Sequence, residues 1–177
     1  MKLFFRNIAV FLSLFIGVGT AIAHHDSGEL ELYPDDAGDA CIAGAQQIRV
    51  TVHGVYHEGI MKLELYNDEE GFLQKKGRLR PIRVPAEDGP QTICINVDEP
   101  GRYAVSGYHD RDGDRKLDKK WNFTPKEPYG VSNNPKIKAK RMPKFEECAF
   151  DVPTNGTDID IILVDLRKKK PLGELPE

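Results

Sequence analysis

The chain is poor in the features that most often give a function away. Beyond its first two dozen residues it has no long apolar run, so no transmembrane helix is expected. It has three cysteines, Cys41, Cys94 and Cys148, with no CxxC or HxxC spacing, which argues against a structural zinc site. No GxSxG, HExxH or phosphate-cradling glycine loop occurs, so the common signatures of serine hydrolases, zinc proteases and nucleotide enzymes are missing. Acids outnumber bases, 28 to 25, which argues against a general nucleic-acid binder.

What is present begins with a leader. Lys2 and Arg6 form a charged start, Phe11 to Val18 lies in an apolar stretch, and Ala21-Ile22-Ala23 is a small-x-small cleavage site. Residues 1–23 are therefore expected to be a signal peptide, with export to the periplasm or beyond. No cysteine follows the apolar stretch closely, so a lipid anchor is not expected. Cleavage would leave 154 residues with 23 Lys+Arg against 28 Asp+Glu, a size that fits one domain.

The strongest chemical signal is His109-Asp110-Arg111-Asp112-Gly113-Asp114-Arg115-Lys116-Leu117-Asp118. Counting from Asp110, carboxylates fall at positions 1, 3, 5 and 9. Alternating Asp residues on a tightly turned backbone supply the oxygens that a hard cation such as Ca²⁺ requires. Leu117, at position 8, is placed to anchor the loop to a core. The pattern departs from an EF-hand, which has Gly at position 6 and a bidentate Glu at position 12. Arg115 and Trp121 stand there, and Arg115 is not expected to take a positive φ readily. Two Arg and one Lys reduce the loop's charge from −4 to −1. Asp110, Asp112, Asp114 and Asp118 are the candidate Ca²⁺ ligands, and Glu127 is the best candidate from outside the loop. The alternative is a solvated Asp-rich turn.

Short alternating segments predict about seven strands: 47–55, 60–66, 81–85, 92–97, 102–108, 148–152 and 158–166. Asn155-Gly156 predicts a type I′ hairpin between the last two. The pattern is that of an antiparallel β-sandwich. Tyr103, following Gly101 at a strand start, fits a tyrosine corner. Residues 118–144 carry Pro125, Pro128, Pro135 and Pro143 and show no period, so a long Pro-rich loop without elements is expected. Residues 24–44 form an acidic arm, 45–167 the sandwich domain, and 168–177 a tail; residues 24–40 and that tail are expected to be mobile.

In an oxidising compartment, one bridge and one free thiol is the simplest use of three cysteines. Cys41, before the first strand, and Cys94, within a strand, are the expected pair. Cys148 is expected to pack as a small buried hydrophobe.

Charge is unevenly spread. Residues 24–44 hold six acids and no Lys or Arg, while residues 115–144 hold ten bases and two acids. The basic segment could meet an anionic partner such as an acidic glycan or lipid; the plainer expectation is that the acidic arm lies against it, or that both are solvated.

Three motifs together resemble the bacterial domain of unknown function 2141, a group of exported single-domain proteins. They are Gly101-x-Tyr103-Ala104-Val105 running into the Asp loop, Pro125-Lys126-Glu127-Pro128-Tyr129-Gly130-Val131-Ser132-Asn133-Asn134, and Pro143-Lys144-Phe145-Glu146-Glu147-Cys148-Ala149-Phe150. The resemblance covers roughly residues 47–166. It departs where the family usually has Gly (here Arg115), Asn (here Asp112 and Asp114) and Ala (here Cys148). It implies an immunoglobulin-like or transthyretin-like sandwich and implies no activity.

The remaining candidates weigh less. His24 would be the mature N-terminus, and its amine and imidazole could chelate copper with His53, His57 or His109, giving a periplasmic copper-binding protein. His109 is expected to orient a loop carboxylate or to pack on Trp121, and His53 and His57 to lie on the surface. Ser132 fits a turn-capping hydroxyl. A hydrolase with its site under the 118–144 loop is the weakest alternative. The leading expectation is an exported, non-enzymatic β-sandwich stabilised by Ca²⁺, with no catalytic residues, acting as a binding or accessory module for an envelope partner or ligand.

Overall fold

The fold is that of a computed structural model, which describes residues 30, 32–120, 125–136, 141–168 and 170–175. The leader, His24 and Trp121 lie outside the described residues. Among the described residues, ten strands and one α-helical turn follow in chain order, besides 3-10 turns at Pro34–Asp36 and Lys75–Gly77: β1 (Gln47–Val55), β2 (Ile60–Tyr66), β3 (Arg80–Pro85), β4 (Gly89–Asn96), β5 (Gly101–Asp110), β6 (Tyr129–Val131), α1 (Phe145–Cys148), β7 (Phe150–Val152), β8 (Thr157–Ile162), β9 (Val164–Asp165) and β10 (Lys170–Pro171).

Two sheets form the sandwich. One has the order β4-β1-β8; the other runs β10-β9-β6-β5-β2-β3, with β7 added on β5. Pairing is antiparallel except between β1 and β8, which run parallel from Ile48↔Thr157 to His53↔Ile162. The strand period of two decides which side chains meet. Ile48, Val50 and Val52 of β1 fill the space between the sheets with Met61, Leu63 and Leu65 of β2 and Ile82 of β3. The alternate residues of β2 and β5 point to the other face of the larger sheet. Tyr66, Ala104 and Tyr108 there form a second cluster with Tyr129, Phe145 and Cys148, and Phe72, Leu73 and Leu117 pack against it. Lys62, Glu64, Ser106 and Asp110 share the strand parity of that second face.

The close approaches of backbone explain two glycines. A Cβ on Gly107 would lie 2.7 Å from Leu63 Cδ2 and 3.1 Å from the Lys62 carbonyl oxygen. A Cβ on Gly59, at φ +72°, would sit 2.0 Å from the Asp110 carbonyl oxygen. The β1–β2 turn thus rests directly on the strand end that starts the Asp loop.

Several sequence expectations change. Residues 118–144 are not without elements: Tyr129–Val131 is a strand inside the sheet, paired to β5 and β9. Three residues between prolines are too few to show a period. Asn155-Gly156 does not close a hairpin, because β7 pairs with β5 and β8 with β1 in the other sheet. Only Gly156 there has positive φ, whereas a type I′ turn needs it at both central residues. Cys148 ends α1 rather than opening a strand, and it is fully buried with its thiol pushed up to about 12 by burial. Parts of the arm and tail are tied down: Asp39 bridges to Cys94, Arg83 and Arg115 both pair with Asp36, and Lys170–Pro171 adds a strand. Cys41 and Cys94 are bonded, with a Cα separation of 5.3 Å that suits the bridge.

Candidate cation site

The Asp loop leaves β5 on the second face of the larger sheet. Asp110, the last residue of β5, is 1% exposed. Its Oδ2 accepts the Arg115 backbone N–H at 2.8 Å, and its Oδ1 is buried without a hydrogen-bond partner. The chain then turns through Gly113 (φ +68°) and Arg115 (φ +67°). Arg115 therefore takes the left-handed conformation, contrary to the sequence expectation. Its guanidinium reaches Asp36 at 2.9 Å and stacks over the Tyr33 ring at 4.4 Å, contacts that offset the roughly 1–2 kcal/mol cost of that backbone.

Glu127 closes the loop. Its Oε1 accepts the Arg111 N–H and its Oε2 the Asp118 N–H, each at 3.2 Å. One carboxylate thus ties both ends of the Asp run, and the neighbouring Lys126 N–H bonds the Asp118 carbonyl at 2.8 Å. His109 N–H donates to the Pro128 carbonyl at 3.0 Å, which aligns the returning chain. Leu117 anchors the loop in the second apolar cluster.

Of the five candidate ligands, three converge. Asp110, Asp112 and Glu127 each offer an oxygen within 4.8 Å of the other two. Two ligands on opposite sides of Ca²⁺ are separated by up to about 5 Å, so the span suits that ion. Asp114 and Asp118 do not join that group. Asp114 accepts the Lys116 N–H at 2.8 Å, and Asp118 pairs with the Lys126 ammonium at 2.8 Å on the exposed side. The positive φ at Arg115 redirects the second half of the loop, so the 1, 3, 5, 9 spacing does not carry all four side chains to one point.

Electrostatics mark Asp110 and Glu127. Burial pushes Asp110 up to about 6, and the nearby Asp112 and Asp114 carboxylates add to this against the Arg115 N–H. Burial likewise pushes Glu127 up to about 7, with Asp110 adding repulsion. Crowded, desolvated carboxylates are relieved either by a proton or by a cation. An orphaned carboxylate oxygen facing two more carboxylates is suited to metal ligation.

The other candidates are placed differently. His109 is fully buried; its Nε2 lies 2.7 Å from the Glu58 carbonyl and its ring stacks on Tyr56, so it does not orient a loop carboxylate. His53 is buried rather than on the surface, 2.7 Å from Asp160, because the β1–β8 pairing covers it. His57 is exposed. Ser132 is no turn cap: its buried hydroxyl accepts the Val105 N–H at 3.0 Å and donates to the Cys148 carbonyl at 2.6 Å, stapling β5 to α1. Tyr103 donates to the Glu99 carbonyl at 2.8 Å, the contact of a tyrosine corner.

A family model described as an uncharacterized protein conserved in bacteria (DUF2141) matches residues 50–160. No curated protein and no solved structure matches the chain.

Proposed function

The chain belongs to the DUF2141 family, and from that premise we propose that it is an exported, non-enzymatic β-sandwich, stabilised by Ca²⁺ and serving as a binding or accessory module of the cell envelope. One observation carries the cation: the buried, unpartnered Asp110 Oδ1 gathered with Asp112 and Glu127. Asp110, Asp112 and Glu127 would ligate the ion, with backbone carbonyls and water completing a shell of six to eight oxygens. The ion's role is structural. It neutralises the carboxylates at the root of residues 118–144 and so fastens that long connection to the sheet. Export is supported by the leader pattern and by a Cys41–Cys94 bridge of the kind that persists in oxidising compartments.

The test is elemental analysis of the purified protein after dialysis against buffer containing micromolar Ca²⁺. One retained Ca²⁺ per chain, lost in Asp110→Asn, is the expected result. A wild-type protein that retains none contradicts the cation reading.

A further inference from the structure

The larger sheet carries, beside the Asp loop, a cavity of about 980 Å³. Its floor is β2 and β5, through Lys62, Glu64, Ser106 and Tyr108, and one wall is the continuation of the Asp loop through Arg115, Leu117 and Lys119. The volume lies at the upper end of what small-molecule sites enclose.

Its lining is one-sided in charge. Seven Lys or Arg side chains face a single carboxylate, Glu64, among the described lining residues. Glu64 is shared by Lys62 and Arg78, each at 2.5 Å. Asp36, outside the cavity, is shared by Arg83 and Arg115, and Glu147 takes Arg141 at 2.8 Å. Among the described residues, cations thus outnumber the carboxylates that answer them. Several of these cations are deep: the Lys62 and Arg83 side chains are only 7% and 11% exposed. Arg83 Nε is buried with no hydrogen-bond partner. Desolvated cations that share carboxylates two to one are costly to keep, and an anion entering the cavity would offset that cost. The remaining wall is apolar, from Phe72, Leu73, Pro125, Met142 and Pro143.

We propose that this cavity binds a small organic anion: one carboxylate, sulfonate or phosphate group on an apolar skeleton, its charge against Lys62, Arg78 and Arg83 and its body against Phe72, Leu117 and Met142. None of Lys62, Arg78 and Arg83 is among the proposed Ca²⁺ ligands. Arg78 and Lys62 set the head group. Lys119, exposed at the rim, draws the anion in.

Three probes separate the two halves of the recognition. The sulfonate 1-anilinonaphthalene-8-sulfonate carries both charge and apolar body, N-phenyl-1-naphthylamine is the same body without charge, and inorganic phosphate is charge without body. Calorimetric or fluorescence titration of the folded protein should show saturable one-to-one binding of the sulfonate. The neutral amine and phosphate should each bind at least about tenfold more weakly, the scale of one charged hydrogen bond. Arg78→Gln leaves Glu64 with Lys62 and Tyr66 as partners and should weaken the sulfonate about tenfold without loss of the thermal transition. Should Arg78→Gln fail to fold, the surface variant Lys119→Gln should still raise Kd and flatten its dependence on salt. Equal affinity for the sulfonate and the neutral amine, absence of saturable binding, or affinities unmoved in the folded variants would overturn the proposal.

Discussion

If the Asp loop takes up Ca²⁺ as proposed, binding must displace protons, and the number is set by the environment of two residues. Glu127 titrates at about 7 and Asp110 at about 6, both raised by burial first and by neighbouring carboxylates second. The two are close enough that these values belong to the pair. At pH 7 the ion-free site holds about 0.6 proton, and at pH 6 about 1.4, by simple titration of those two values. Ligation requires both carboxylates ionised, so binding releases that many protons. The same occupancies make the apparent affinity for Ca²⁺ roughly twentyfold weaker at pH 6 than at pH 8. Stability without the ion moves in the same pH range. Both carboxyls titrate higher in the folded protein than in the unfolded chain, so the ion-free protein gains stability below pH 4 and loses that gain as pH rises through 6 and 7. A Ca²⁺ bound there would offset that loss at neutral pH. Calorimetric titrations in buffers of differing ionisation enthalpy, at pH 6, 7 and 8, read the proton release and the affinity together. Binding without proton release near pH 6, or a dissociation constant that does not change between pH 6 and 8, would refute the role of Asp110 and Glu127 as ligands.

Two further outcomes follow from the bridge and the leader. Cys41 and Cys94 are 53 residues apart, so chain entropy assigns their bond about 4 kcal/mol of stability; urea denaturation of the Cys41→Ala/Cys94→Ala variant should show a loss of that order, and an unchanged midpoint would mean the bridge constrains little. Intact mass of the protein recovered from an export-competent bacterial host should lack residues 1–23, and retention of that segment would contradict export and cleavage after Ala23.

The sandwich was legible where the physics is local. In β1 and β2 the alternation of Ile48, Val50, Val52 and of Met61, Leu63, Leu65, bounded by turn residues, gives the observed limits, Gln47–Val55 and Ile60–Tyr66. The two faces of β2 follow from the same alternation. Legibility failed where pairing is long-range. Nothing near Thr157 says that it will run parallel to Ile48, because that register is set by a strand over one hundred residues earlier. The same pairing buries His53, which its own neighbours in sequence place on the surface. β6 is invisible to a pattern search because Tyr129-Gly130-Val131 is held by its neighbours in the sheet, not by its own periodicity.

The site was legible by half. Asp spacing located the loop, and the search for a ligand beyond it located Glu127. Spacing alone could not say which carboxylates converge, since that depends on where the loop reverses. Arg115 takes positive φ because Asp36 and Tyr33 hold its side chain, a contact 79 residues away in sequence. That reversal sends Asp114 to the Lys116 N–H and Asp118 to Lys126. The cationic cavity was visible only as a basic run from 115 to 144; Lys62, Arg78 and Arg83 reach it from β2, β3 and the loop between them.

The cation site is tested most directly by thermal melts with Ca²⁺ and with chelator on the wild-type protein and on Asp112→Ala and Asp114→Ala. Calcium at about 100 times its dissociation constant should stabilise the wild type by roughly 2.7 kcal/mol, a rise in Tm of roughly 5–10 °C for a domain of this size. Asp112→Ala should abolish that rise and Asp114→Ala should keep most of it, because Asp112, and not Asp114, stands with Asp110 and Glu127. Identical wild-type midpoints in millimolar Ca²⁺ and in chelator would contradict a bound cation and leave the Asp run a solvated turn.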